Sequence, residues 1–190
     1  MRFWSMLAHN HGGVWKASDP ARSLGLREPT VRRYLDLFTG LFLVRQLQPW
    51  HQNLSKRQVK APKVYLRDSG LLHSMLGIAD EKALLSHPKL GASWEGFVIE
   101  ALVHAHRPEE VYFWSTYQGA ALDLLMLKRG KRLGFEIKRA DAPTLTTSMR
   151  TVLEDLELDA LTVVYPGDRE YKLAHNVRVV PVASALNLSD

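Results

Sequence analysis

Asp123, Glu136 and Lys138 are residues whose types and spacing suit them to act together. They lie in the stretch ALDLLMLKRGKRLGFEIKR, residues 121–139. Two apolar runs, LDLLML and RLGFEI, flank Lys128, Arg129, Gly130 and Lys131, and the pattern reads as a β-hairpin. A turn centred between Arg129 and Gly130 sets Asp123 directly opposite Glu136. Opposed side chains have Cβ atoms ~5 Å apart, and like charges at that spacing repel. The side-chain period of two puts Lys138 on the face of Glu136. The other face carries Leu122, Leu124 and Met126 against Leu133, Phe135 and Ile137, all apolar. One face is therefore expected to be buried, and the other to bring two carboxylates and an ammonium together. A divalent cation held by both acids would offset their repulsion. Arg-Gly is a poor match to a two-residue type I′ turn, where Asn-Gly or Asp-Gly is preferred. A four-residue loop over 128–131 with the same centre is expected instead.

The elements that must position this hairpin are legible on both sides of it. A helix is expected over 92–106, with Trp94, Phe97, Val98, Ala101, Leu102 and Ala105 on its inner side and Glu95 at the border of that stripe. VYFWST at 111–116 is rich in aromatic and β-branched residues and reads as a strand. After the hairpin, Pro143 opens a helix through about residue 156. LTVVYP at 161–166 is a continuous apolar run of the kind a fully covered strand shows. VRVVPV at 177–182 is the last strand. This order predicts a mixed sheet with a helix on each side.

The first third follows a different plan. A helix over 2–10 ends at Gly12 and Gly13. Ser18 is placed to cap a second helix that Gly25 breaks. Pro29 starts a third, whose apolar stripe runs Val31, Leu35, Phe38, Phe42. Two strands follow, FLVRQLQ and KVYLR. Three short helices and a two-stranded wing make a winged-helix plan. Its third helix points Thr30, Arg32, Arg33 and Asp36 outward, and the wing loop contributes Lys56, Arg57 and Lys60. Basic residues on a helix and a wing suit a DNA phosphate backbone. The plainer reading is the solvated face of an amphipathic helix. The fold class expected is α+β: a winged-helix domain over 1–67, a helical connector over 68–90, and a mixed-sheet α/β domain over 91–190.

Composition narrows the rest. The chain has 190 residues, 46% of them hydrophobic, enough to bury a core. Its formal charge of +5 leans mildly toward polyanions. Cysteine is absent, which excludes disulfides and thiolate metal sites and suits a reducing cytoplasm. No apolar run approaches the ~20 residues that span a bilayer, and the start MRFWSMLAHNHGG is too short in apolar residues for a signal peptide. No phosphate-binding loop of the form G-x-x-x-x-G-K-[ST] occurs, so these residues alone are not expected to hydrolyse ATP. His9 and His11, like His104 and His106, are two apart on helices and point to different sides, so neither pair chelates easily.

Asp123, Glu136, Ile137 and Lys138 form a D-x(12)-E-x-K pattern that resembles the PD-(D/E)xK (restriction-endonuclease-like) superfamily. The resemblance implies that Asp123, Glu136 and the Ile137 carbonyl bind Mg2+, with Mn2+ as a substitute. It implies that Lys138 orients the attacking water and that Glu95 completes the site. Over nearly its whole length the chain also resembles the C-terminal region of a large prokaryotic family of AAA+-type ATP-binding proteins. The matching stretches are TVRRYLDLF, KAPKVYLRDSGLL, GASWEGFVIEAL and the hairpin with its EIK. That likeness implies an ATPase module upstream. Members of that family commonly carry an acidic residue two positions before the aspartate, where this chain has Ala121. The expected function is a DNA-associated module with Mg2+-dependent endonuclease activity. The other class is a non-catalytic DNA- or protein-binding appendage of an ATPase. The oligomeric state is left open.

Overall fold

The computed structural model describes residues 2–51 and 58–188. The chain divides into two compact units, residues 1–47 with 61–97, and residues 48–60 with 98–190. The class is mixed α and β, and no helix among the described residues is long and apolar enough to cross a membrane.

In the first unit, α1 (Arg2–His9) buries Leu7 and Ala8. The short strand β1 (Gly13–Val14) follows, then α2 (Ser18–Leu24). Gly25 ends α2 with φ 66°, the left-handed conformation that costs glycine least. Ala17 rather than Ser18 precedes the helix, and no side chain caps it. Helix α3 (Glu28–Gly40) has Pro29 in its first turn and buries Val31 and Leu35. The stripe continues to Phe38, which is half-buried against the same core with its ring stacked 4.4 Å from that of Trp4. The helix ends before Phe42, which takes φ 59° and is 74% exposed, so it does not join the core as its spacing suggests. Strands β2 (Val44–Pro49) and β3 (Lys63–Leu66) pair antiparallel, and β1 pairs with the other edge of β3. Leu7, Trp15, Val31, Leu35, Val44 and Val64 form the core between them. Asp68 and Asp80 cap α4 (Ser69–Met75) and α5 (Glu81–Leu85) by accepting the amides of Leu71 and Ala83 at 2.6 and 2.8 Å. Helix α6 (Leu90–His106) begins in this unit and continues into the next from Val98.

The second unit is a mixed sheet in the order β4-β5-β6-β7-β9-β8. Its strands are β4 (Glu110–Ser115), β5 (Ala121–Lys128), β6 (Lys131–Ile137), β7 (Ala160–Tyr165), β8 (Tyr171–Ala174) and β9 (Val177–Pro181). Gln48 and Pro49 at the end of β2 run parallel to Tyr112 and Phe113 of β4. The pairs β6–β7 and β7–β9 are parallel, and the other pairs of β4–β9 are antiparallel. Helix α7 (Thr147–Asp155) is capped by Thr146, not opened by Pro143. Its Met149 and Val152 pack with Trp114, Leu122, Leu125, Leu161 and Val163. On the opposite face, the His106 ring of α6 lies 6.0 Å from that of Phe135. A final helix, α8 (Val182–Leu186), buries Ala185. Both faces of the hairpin are thus covered. Leu125 and Gly134, paired on the face of Asp123, are buried, and a Cβ on Gly134 would meet Leu158 at 2.5 Å. The charged character of that face is confined to the end of the strands.

Candidate functional site

From Leu124 to Lys131 the hairpin has the register that its sequence predicts, but the expected Asp123–Glu136 pair is not part of the ladder. An extra residue in β5 opposite β4 turns Leu122 to the face of Leu125 and Met149 rather than that of Leu124. Leu124 pairs with Phe135, and the ladder continues in step to Lys128 opposite Lys131. The turn closes on two residues rather than four. Arg129 and Gly130 have φ of 51° and 75°, the two positive values a type I′ turn requires. The non-glycine residue is held there by its own backbone. The Arg129 amide donates to both carboxylate oxygens of Glu109, at 3.0 and 3.2 Å.

One step beyond the Leu124–Phe135 pair, a side chain takes over the ladder. The Ile137 amide donates to Asp123 Oδ2 at 2.8 Å. The Asp123 carboxylate is therefore anchored at the amide immediately after Glu136. Glu136 is buried, 7% exposed. Its Oε1 lies 2.5 Å from the ammonium of Lys138, whose side chain is 41% exposed. Strand β6 is held on its other side by β7, since the Lys138 amide donates to the Val164 carbonyl at 2.9 Å. The three residues singled out by type and spacing thus engage one short segment, Glu136 to Lys138. An anchored carboxylate, a buried carboxylate and a partly exposed ammonium lie at the end of a rigid sheet. Such a set can bind a cation through oxygen and present positive charge to an anionic substrate.

Glu95 lies in the first unit, on the N-terminal half of α6. Its Oε1 accepts from Lys63 Nζ at 2.9 Å and from the Tyr65 hydroxyl. Lys63 and Tyr65 alternate along β3 and so share a face. Among the described residues there is no group of three or more His, Asp or Glu side chains placed to hold a metal ion. His11 and His106 are both buried and bonded to backbone. The Leu66 amide donates to His11 Nδ1 at 3.0 Å, and Nε2 lies 3.1 Å from the Ala92 carbonyl. Burial drives the His11 pKa down to about 4, against the opposing pull of the Ala92 carbonyl.

The basic residues of the proposed nucleic-acid face are distributed as follows. Arg32 and Arg33 are exposed on α3, and Thr30 is half-buried. Arg32 makes a 3.5 Å ion pair with Glu28, both side chains largely in solvent, an arrangement worth little to stability. Asp36 accepts from Gln46 Nε2 at 3.0 Å, which ties α3 to β2. The same helix end also exposes Leu37, Leu41 and Phe42, a cluster that the periodicity did not reveal. Lys60 is exposed and belongs to the second unit. Lys56 and Arg57 lie outside the described residues.

Residues 90–185 match the Domain of unknown function (DUF4143) family, and residues 1–82 match the Domain of unknown function (DUF8612) family. The chain is 49% identical over 185 residues to the uncharacterized protein Rv2008c of Mycobacterium tuberculosis and to the uncharacterized protein Mb2031c of Mycobacterium bovis. Each alignment covers 97% of this chain and 42% of the relative. The chain thus spans less than half the length of these relatives. No solved structure matches it.

Proposed function

The chain belongs to the DUF4143 family, and from that premise we propose that it is a DNA-directed module whose second unit is a nuclease-like domain cleaving phosphodiester bonds with Mg2+. The observation that carries this reading is the hairpin end, where Asp123 is fixed to the amide after Glu136 and Lys138 contacts Glu136. The order α6, β4, β5, β6, α7, β7, with β6 and β7 parallel, supports a PD-(D/E)xK fold for the second unit. In the first unit the order helix, strand, helix, helix, strand, strand supports a winged helix, with α3 as the DNA-facing helix. The additional length of the relatives leaves room for the ATP-binding module that the sequence resemblance implies. A cysteine-free chain suits a cytoplasmic setting.

The residues present fit a hard divalent cation in kind. Mg2+ is commonly held by one or two carboxylates with water completing its shell. Asp123, Glu136 and the Ile137 carbonyl would hold it here, with Mn2+ as a substitute. Bound, it would supply Lewis-acid polarisation of a phosphoryl oxygen. Asp123 keeps its orientation through the Ile137 amide. Lys138 places positive charge beside the substrate phosphate. Burial of Glu136 excludes water from one side of the site and strengthens its electrostatics.

Calorimetric titration with Mg2+ and Mn2+ tests the reading, together with nicking of supercoiled DNA. Loss of cation binding in Asp123→Asn and Glu136→Gln, with loss of nicking, is the expected result. Lys138→Ala should lose nicking while it keeps cation binding. A second reading is a non-catalytic DNA- or protein-binding appendage of an ATPase. The close Glu136–Lys138 contact, with Ala121 in place of an acid, favours it. DNA binding with neither metal dependence nor cleavage would select that reading.

A further inference from the structure

The second unit carries a row of side chains that its register makes neighbours. Phe135 of β6 pairs with Thr162 of β7, Thr162 with Arg178 of β9, and Arg178 with Lys172 of β8. Paired residues point to one face. Phe135 and Glu136 are adjacent on one strand, so this row lies on the opposite face of the sheet from the hairpin carboxylates. Arg178 and Lys172 are directly opposed cations, an arrangement that repels. Among the described residues neither is bonded to a carboxylate, and Arg178 Nε donates only to Thr162 Oγ1, at 3.4 Å.

A cavity of 330 Å³ opens beside the row, walled by His106, Lys131, Leu133, Phe135, Thr162 and Arg178 among others. A second cavity of 290 Å³ shares Arg178 with it and adds Lys172 and His175. His106 is buried, 7% exposed, and its Nε2 lies 2.8 Å from the Ala185 carbonyl. A carbonyl only accepts, so Nε2 carries the proton, and in the neutral ring Nδ1 is an acceptor. No described residue bonds to Nδ1. Asp159 also lines both cavities and is the one carboxylate there that an anion would meet. Its Oδ2 is held at 2.7 Å by the Arg132 amide.

We propose that the paired cavities form a binding site for a phosphorylated small molecule with an N–H-bearing ring, of nucleoside monophosphate size. Arg178, Lys172 and the Thr162 hydroxyl take the phosphate, because the register sets them side by side on one face of three adjacent strands, where among the described residues neither cation is bonded to a carboxylate. Leu133 and Phe135 give the apolar wall against which a ring lies. His106 Nδ1 accepts from a ring amine. The volume matches those of small-ligand pockets, roughly 300 Å³ upward. The site does not depend on the nuclease reading, because it lies on the other face and uses none of the hairpin's acids.

The test is calorimetric titration of the full chain with AMP, inorganic phosphate and adenosine, with EDTA present to silence divalent cations. Saturable 1:1 binding of AMP is expected, with phosphate and adenosine each weaker by roughly tenfold. Arg178→Gln and Lys172→Gln should each weaken AMP by roughly tenfold, the scale of one charge-assisted hydrogen bond. Both positions are at least partly exposed, and circular dichroism verifies that the variants stay folded. The His106 ring resonances should move on AMP addition, while Asp123→Asn leaves AMP affinity unchanged. Absence of saturable AMP binding would overturn the proposal, as would unchanged affinity in both charge variants. Equal affinity for phosphate and AMP would overturn the assignment of the apolar wall and of His106.

Discussion

The side chains with the sharpest physical constraints lie in the first unit, around His11. Its ring is held neutral by geometry, since Nδ1 must accept from the Leu66 amide and Nε2 must donate to the Ala92 carbonyl. Its pKa is lowered by burial to about 4, below the ordinary value of 6.5. The unfolded chain therefore binds a proton that the folded chain refuses between those two values. Stability rises with pH wherever the unfolded state holds more protons. The His11 contribution should be complete above pH 6.5 and fall as pH drops toward 4, by about 3 kcal/mol in all. Urea unfolding across that range, with His11→Gln as reference, measures it. A parent and variant with parallel pH profiles would refute it. Gly96 sets the other constraint. A Cβ there would lie 2.6 Å from His11 Nε2 and 2.8 Å from Cε1. Gly96→Ala should cost about 1–3 kcal/mol by overpacking. That cost should shrink in a His11→Ala background, since the clash is with that ring.

At the scale of elements, the hairpin is where sequence and structure meet most closely. Its centre and register follow from two apolar runs around one short polar link, because slipping by one residue would turn every side chain to the other face. The turn type was not legible in the same way. Arg129 adopts a conformation that L-residues disfavour, and its support comes from Glu109 on the preceding connection, twenty positions away. Arg129→Asn should raise stability by about 0.5–1 kcal/mol, since Asn enters the left-handed region more readily. A urea midpoint no higher than the parent's would mean that the arginine side chain contributes as much as its backbone costs. The short elements β1 and β8 escaped prediction because runs of two and four residues carry too little alternation. Helix α8 begins at Val182, the final residue of the strand expected over 177–182. Phe42 failed for a different reason. It keeps the helical spacing, but the helix has already ended at Gly40. The partners of Glu95 are on β3, some thirty residues earlier, and nothing local in the sequence ties them together.

For the whole molecule, the proposed function assigns affinity for DNA to the first unit and chemistry to the second. The two can be separated without any assumption about how the units are arranged. Phosphate contacts made by Arg or Lys release counterions, so binding weakens with salt by a slope of about −0.9 in log–log form per contact. Arg32 and Arg33 are exposed on α3, and the chain carries a formal charge of +5, which on the proposed reading would favour a polyanion. Arg32→Ala with Arg33→Ala should therefore weaken binding to any duplex sequence and flatten that slope by about 2. Asp123→Asn and Glu136→Gln should leave the slope where it is and act only on cation-dependent steps. Fluorescence anisotropy of the full chain on a labelled duplex, from 50 to 200 mM salt by order of magnitude, reads both quantities. If the arginine variants bind with unchanged slope, α3 is not the phosphate-facing element. Its exposed Leu37, Leu41 and Phe42 would then make α3 a surface for protein rather than for nucleic acid.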